Sequence, residues 1–158
     1  MTALGEELLA TLAMRRTAEN YAFAVDQVDG ERFAAQFTED GVLVAPLGNI
    51  VGRKALSEVP RRVAERYART WHAVFNLVPV IKGDTARAET YGIARHFMRD
   101  SSGSPICYEM TIRYADTFVR TNDGLWLLAE RRLQLDATHK FPVEGRHLMP
   151  REGQADEQ

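Results

Sequence analysis

Two residues of this chain have side chains that together could move a proton: Asp26, near the end of a helical N-terminal segment, and His72, in the apolar run Trp71-His72-Ala73-Val74-Phe75-Asn76. An aspartate that binds one ring nitrogen of a histidine fixes its tautomer and leaves the other nitrogen free to accept a proton, so the pair could act as a general base. Against this stands the common fate of a lone core histidine, which is to be satisfied by backbone groups. Arg131 is a third candidate, because strand alternation places it with Leu127, Ala129, Leu133 and Leu135. A guanidinium on an apolar face is costly unless it meets an anion, either a structural carboxylate or a substrate group developing negative charge. Tyr21, on the same helical segment as Asp26, adds a hydrogen-bond donor, although a helix tyrosine more often keeps its hydroxyl at the rim.

The elements that must position these groups follow from periodicity. Residues 3–27 read as a long amphipathic helix, with Leu8, Leu12, Ala18, Ala22 and Val25 recurring at helical spacing and Gly30 beyond its end. Asp29 can cap a short helix over 31–37, Val42–Ala45 reads as a short strand, and a third helix over 53–67 should kink or split at Pro60. Four long strand patterns follow over 71–81, 85–98, 105–120 and 125–136, and the turn residues between them favour consecutive antiparallel hairpins. Helices first and a meander second imply one α+β domain over 1–138. Its curved, mostly antiparallel sheet is covered on one face by the helices and encloses an apolar pocket. Pro142, Gly145, Pro150 and Gly153 interrupt regular structure after Ala137, so 139–158 is expected to be a partly ordered tail.

On His72's strand, Val74, Asn76, Val78 and Val80 share its face, which makes Asn76 the amide of the pocket. The third long strand puts Tyr108, Met110, Ile112, Tyr114, Asp116 and Phe118 in one row that could line a pocket or fill the core. Met110, Ile112, Tyr114 and Leu133 are therefore candidate substrate contacts. Cys107, the single cysteine, sits in a strand pattern and reads as a buried inert thiol. His96, His139 and His147 lack the close spacing of metal ligands, and no glycine-rich phosphate loop, Gly-x-Ser-x-Gly elbow or Cys-x-x-Cys pair occurs, so neither metal nor cofactor is expected.

A net charge of −2 and pI near 6.1 lack the basic surplus of a nucleic-acid binder. The first apolar stretch has acidic residues before it and arginines after it, the reverse of a secretory signal, and no run approaches a membrane span. A cytoplasmic protein with a small apolar substrate is the resulting expectation. Both faces of the first long strand are apolar, which implies that one sheet face packs on another subunit in a homodimer or homotrimer.

Over roughly residues 8–138 the chain resembles the SnoaL-like branch of the NTF2-like superfamily, whose fold is a cystatin-like α+β cone. The resemblance is carried, in order, by Tyr21-Ala22-Phe23-Ala24-Val25-Asp26, Phe37-Thr38-Glu39-Asp40-Gly41, Gly52-Arg53, Trp71 to Asn76, Tyr114-Ala115-Asp116 and Asp123-Gly124-Leu125-Trp126. It implies that Asp26 and His72 are similar to the catalytic dyad of the scytalone dehydratase and hexachlorocyclohexane dehydrochlorinase group, and Arg131 to the dehydrochlorinase's pocket arginine. Tyr21 stands where that enzyme has a lysine, which argues against halide as leaving group. Ala45 stands where ketosteroid isomerases carry their aspartate base. The resulting expectation is a cofactor-independent lyase or isomerase acting on a carbon-bound proton of a small, cyclic, apolar substrate. The alternatives are a non-catalytic ligand-binding or partner-subunit module and a polyketide cyclase or epoxide hydrolase.

Overall fold

The computed structural model describes residues 2–144. The chain opens with helix α1 (Ala3–Gln27), capped by the Thr2 hydroxyl, which accepts from the Gly5 N–H at 3.2 Å. It ends at Val28, which adopts the left-handed conformation at φ 58°, a costly choice for a β-branched residue. The expected apolar stripe is only half used. Met14, Ala18, Tyr21, Ala22 and Val25 are buried, whereas Leu4, Leu8, Leu9 and Leu12 project into solvent because the first turns of α1 are not covered by the sheet. Asp29 caps α2 (Gly30–Ala34) as expected, but this helix stops three residues short and Phe37 instead opens β1 (Phe37–Ala45). A strand that the sequence did not suggest, β2 (Gly48–Val51), pairs with β1 and forms the sheet edge. Pro60 does divide the third helix, giving α3 (Arg53–Leu56) and α4 (Val59–Arg66), with the proline in the first turn of α4 where its missing N–H costs nothing.

The four long strands are β3 (Arg69–Lys82), β4 (Thr85–Arg99), β5 (Pro105–Arg120) and β6 (Trp126–Pro142), joined as antiparallel neighbours. β1 adds to β6 in parallel, and the six-stranded order is β2-β1-β6-β5-β4-β3. The architecture is the expected α+β one, with α1 packed on β3 and β6. β6 runs on to Pro142, past the expected end at Asp136, because pairing with Ile106 to Thr111 of β5 satisfies its backbone. The anticipated boundary at 138 therefore falls inside a strand. His147 and the frayed end foreseen at 155–158 lie outside the described residues.

One irregularity decides which side chains face the core. From the β3–β4 turn the pairing runs evenly from Lys82↔Thr85 to Leu77↔Thr90, then slips by one residue so that Val74 faces Gly92 and His72 faces Ala94. This bulge reverses the alternation: Leu77 turns inward while Val78 and Val80 turn out. Two features hold it. Arg15 of α1 donates from Nη1 to the Phe75 carbonyl at 2.7 Å, and Gly92 leaves room for the Ala73 carbonyl, which a β-carbon there would meet at 2.9 Å.

Candidate active site

Asp26 is aimed at β3 by the last full turn of α1, and β3 answers with three hydrogen bonds. His72 Nδ1 lies 2.7 Å from Oδ1, the Thr70 hydroxyl donates to the same oxygen at 2.8 Å, and the His72 backbone N–H donates to Oδ2 at 2.8 Å. Burial by itself pushes the Asp26 carboxyl upward, but the His72 ring, its backbone N–H and the Thr70 hydroxyl outweigh that and hold it below its ordinary value. An ionised carboxylate only accepts, so Nδ1 of His72 carries the proton that points at it. Nε2 then presents a lone pair and has no hydrogen-bond partner among the described residues. Both side chains are nearly closed to solvent, at 11% and 15% exposure. Such a pair has the orientation a general base requires.

A second histidine completes this part of the concave face. His96 of β4 is buried and stands edge-on to His72, with ring centroids 5.7 Å apart, while Tyr67 at the end of α4 packs on its other side at 4.4 Å. Its Nδ1 is bound to the Tyr108 carbonyl at 3.2 Å. Burial, reinforced by the neighbouring His72, pushes its pKa down to about 4. Sequence reasoning considered His96 only as a metal ligand and rejected it. Thr70 and Tyr67 were not singled out at all, although Thr70 shares His72's face by simple alternation.

Arg131 and Tyr21 belong to a different cluster. Arg131 is fully buried and grips Asp116 with two parallel hydrogen bonds, Nε to Oδ1 at 2.8 Å and Nη2 to Oδ2 at 2.7 Å, and Thr90 adds a third to Oδ2 at 2.7 Å. Its guanidinium carbon lies over the ring of Tyr21 at 4.4 Å and over that of Tyr114 at 4.2 Å, the two rings meeting edge-on. Burial pushes the guanidinium pKa down, but Asp116 more than restores it, so Arg131 stays cationic. Burial also raises both phenols, which therefore stay neutral. Of the two anions the sequence left open, the structure supplies the carboxylate. The hydrogen bonds of Arg131 go to Asp116, whereas those of His72 go to Asp26.

The other expected contacts divide. Asn76 is exposed, a correction caused by the bulge that separates its facing from that of His72. Ile112 and Tyr114 are sealed in the core, so their row fills there, whereas Tyr108 and Met110 are only partly buried and Leu133 packs at the core's edge. Cys107 is buried, and burial raises its thiol pKa, as an inert thiol requires. Two grooves lie away from the dyad. One of about 300 Å³ runs between the first turns of α1 and the β5–β6 turn, and one of about 440 Å³ lies between the β4–β5 turn and the end of β6.

The fold recurs in known proteins. The SnoaL-like domain model matches residues 6–132. Rv3472, a protein of unknown function from Mycobacterium tuberculosis, is 27% identical with a TM-score of 0.75, over 86% of this chain and 77% of that one. A scytalone dehydratase so described only by inference, from Novosphingobium aromaticivorans, is 24% identical with a TM-score of 0.71, over 95% and 97%. A type 3 hexachlorocyclohexane dehydrochlorinase from Novosphingobium barchaimii is 17% identical with a TM-score of 0.73, over 92% and 97%. At those last two identities the likeness concerns the fold. No curated protein matches the sequence. With helices and sheet in the expected order and the family model spanning most of the chain, this protein belongs to the SnoaL-like domain family.

Proposed function

We propose that the protein is a cofactor-independent lyase or isomerase in which His72 removes a carbon-bound proton from a small, apolar, cyclic substrate. The observation that carries this reading is the 2.7 Å contact between Asp26 and His72 Nδ1, with Nε2 left open. In the scheme, Nε2 takes a proton from carbon next to an electron-withdrawing group, and Asp26 stabilises the imidazolium that results. The released electron pair either expels a leaving group on the neighbouring carbon or is reprotonated elsewhere on the substrate. Arg131 and Tyr21 enter as buried framework rather than as groups that touch substrate, since Asp116 takes the guanidinium. The dehydratase and dehydrochlorinase descriptions of fold relatives favour elimination over isomerisation.

A non-catalytic binding module predicts that the aspartate and histidine side chains lie apart or are engaged with backbone; Asp26 does accept from the His72 backbone N–H, but its side-chain contact with His72 Nδ1 at 2.7 Å counts against that module. The test is loss of water from cyclic β-hydroxyketones such as 3-hydroxycyclohexanone, followed by the absorbance of the enone. Turnover should fall about 10²–10⁴-fold in His72→Ala with the fold intact. Activity retained in that variant removes His72 from the mechanism. The exposed outer sheet face, with Trp71, Phe75, Val78, Val80 and Tyr91, is assigned in this reading to contact with a second copy, and light scattering that returned a monomer would reject that assignment.

A further inference from the structure

We infer that the first three turns of α1 are a self-docking surface, on which two copies of this chain pack helix against helix in antiparallel orientation. This two-fold contact is separate from the outer sheet face. The proposed catalysis does not depend on it, since Asp26 stands at the opposite end of α1.

Periodicity lays out the surface. Leu4, Leu8 and Leu12 recur every four residues and rise in one row, and Leu9 adjoins it three residues before Leu12. Each is 54–66% exposed. The core face of α1 is a different one, carrying Met14, Ala18, Tyr21 and Val25. One helix therefore has two apolar faces, and its own sheet covers only one of them. A lone exposed leucine means little, but four within three turns form a contiguous patch of the kind that marks an interaction site. Beside the row, Leu9, Ala10, Ala13 and Trp126 line a groove of about 300 Å³, where the small alanines let an incoming side chain approach α1 closely.

Charge identifies the occupant. Glu6 and Glu7 stand at the start of the row and Arg15 and Arg16 just past its end, so that Glu6 and Arg16, like Glu7 and Arg15, are equidistant from Thr11. An antiparallel copy centred near Thr11 sets the acidic end of each helix against the basic end of the other and lays Leu8 of one beside the partner's Leu12. A parallel copy would bring like charges together. Arg15 is already held by Glu19 at 2.8 Å and by the Phe75 carbonyl at 2.7 Å, whereas Glu6, Glu7 and Arg16 enter no ion pair among the described residues. The pairing of Glu6 with the partner's Arg16 is therefore the specific link. A membrane surface fits less well, because an interfacial helix flanks its apolar face with cations, and this row runs past two carboxylates along its first half. A single helix stripe is smaller than the roughly 800 Å² per partner of a standard interface, which makes the contact reversible, in the micromolar range.

The test is sedimentation velocity of the full chain across a micromolar concentration series. The mass should double as concentration rises, relative to the smallest unit present. Leu8→Glu/Leu12→Glu, at exposed positions that leave the core alone, should abolish the doubling while circular dichroism and Tm stay at wild-type values. Glu6→Lys and Arg16→Glu should each weaken the association about tenfold, and the two combined should restore it, because opposite charges again meet across the two-fold axis. Trp71→Lys, on the outer sheet face, should leave the doubling in place. No doubling in the wild type, doubling that survives Leu8→Glu/Leu12→Glu, or a charge double variant no tighter than either single overturns the inference. So does a doubling lost in Trp71→Lys, which would put the contact on the sheet. Leucine-dependent flotation of the wild type with phosphatidylserine vesicles, in place of doubling, overturns it too and makes the row a lipid-binding face.

Discussion

Replacing Arg131 by Met should be far more damaging than its size suggests, because it strands a charge. Asp116 has a side chain with 0% exposure, and without Arg131 its carboxylate keeps, among the described residues, the Thr90 hydroxyl at 2.7 Å. Removing one partner of a buried ion pair costs about 3–5 kcal/mol, since the remaining charge is neither solvated nor neutralised. For a chain of this size that corresponds to a fall in Tm of roughly 6–20 °C. Asp116→Leu alone should cost a similar amount by orphaning the guanidinium, whereas the double variant Arg131→Met/Asp116→Leu restores an apolar interior and should lose clearly less than the sum of the singles. The loss of the two ring contacts at 4.4 and 4.2 Å keeps the double variant below wild type. Urea unfolding of the four proteins supplies the cycle. A single Arg131→Met costing below about 1 kcal/mol, or additive singles, would refute the reasoning that the pair is a mutually dependent buried unit.

Two further outcomes follow from the site. Because the folded-state pKa of Asp26 is depressed, the stability it contributes is fully present above the unfolded carboxylate value and is lost as pH falls through the folded value. Acid unfolding followed by circular dichroism should therefore be steeper in wild type than in Asp26→Asn below about pH 4, and superimposable profiles would contradict the hydrogen-bonding account. Gly92→Ala forces a β-carbon to within 2.9 Å of the Ala73 carbonyl and should cost about 1–3 kcal/mol in thermal or urea unfolding. A neutral effect would show that the bulge does not depend on that close approach.

How legible the molecule was depends on whether a feature is local. The α1 span, the cap at Asp29, the split at Pro60 and the antiparallel meander were all readable because each rests on residues adjacent in sequence or on periodicity. The strand β2 and the early start of β1 were not, since Gly48–Val51 gains its strand character only by pairing with Val42 to Ala45. At the site, the meeting of Asp26 and His72 was expected from the architecture, but the placing of Asn76 and His96 was not. Extending the register from the β3–β4 turn would put His72 opposite Arg95, and the one-residue slip between Val74 and Leu77 puts it opposite Ala94 instead. Simple alternation cannot foresee such a slip, which depends on Arg15 reaching Phe75 from another element. Arg131 was correctly marked as needing an anion; which anion depended on the register that sets Asp116 opposite it.

The central claim is that Asp26 holds His72 with Nε2 ready to accept a proton. Two-bond ¹H–¹⁵N correlation of the histidine rings tests it without a substrate. In the neutral ring of the wild type, His72 should show its one proton on Nδ1 and none on Nε2, and Asp26→Ala should lose that bias. A wild-type ring protonated on Nε2, or a tautomer that does not change in Asp26→Ala, would contradict the account.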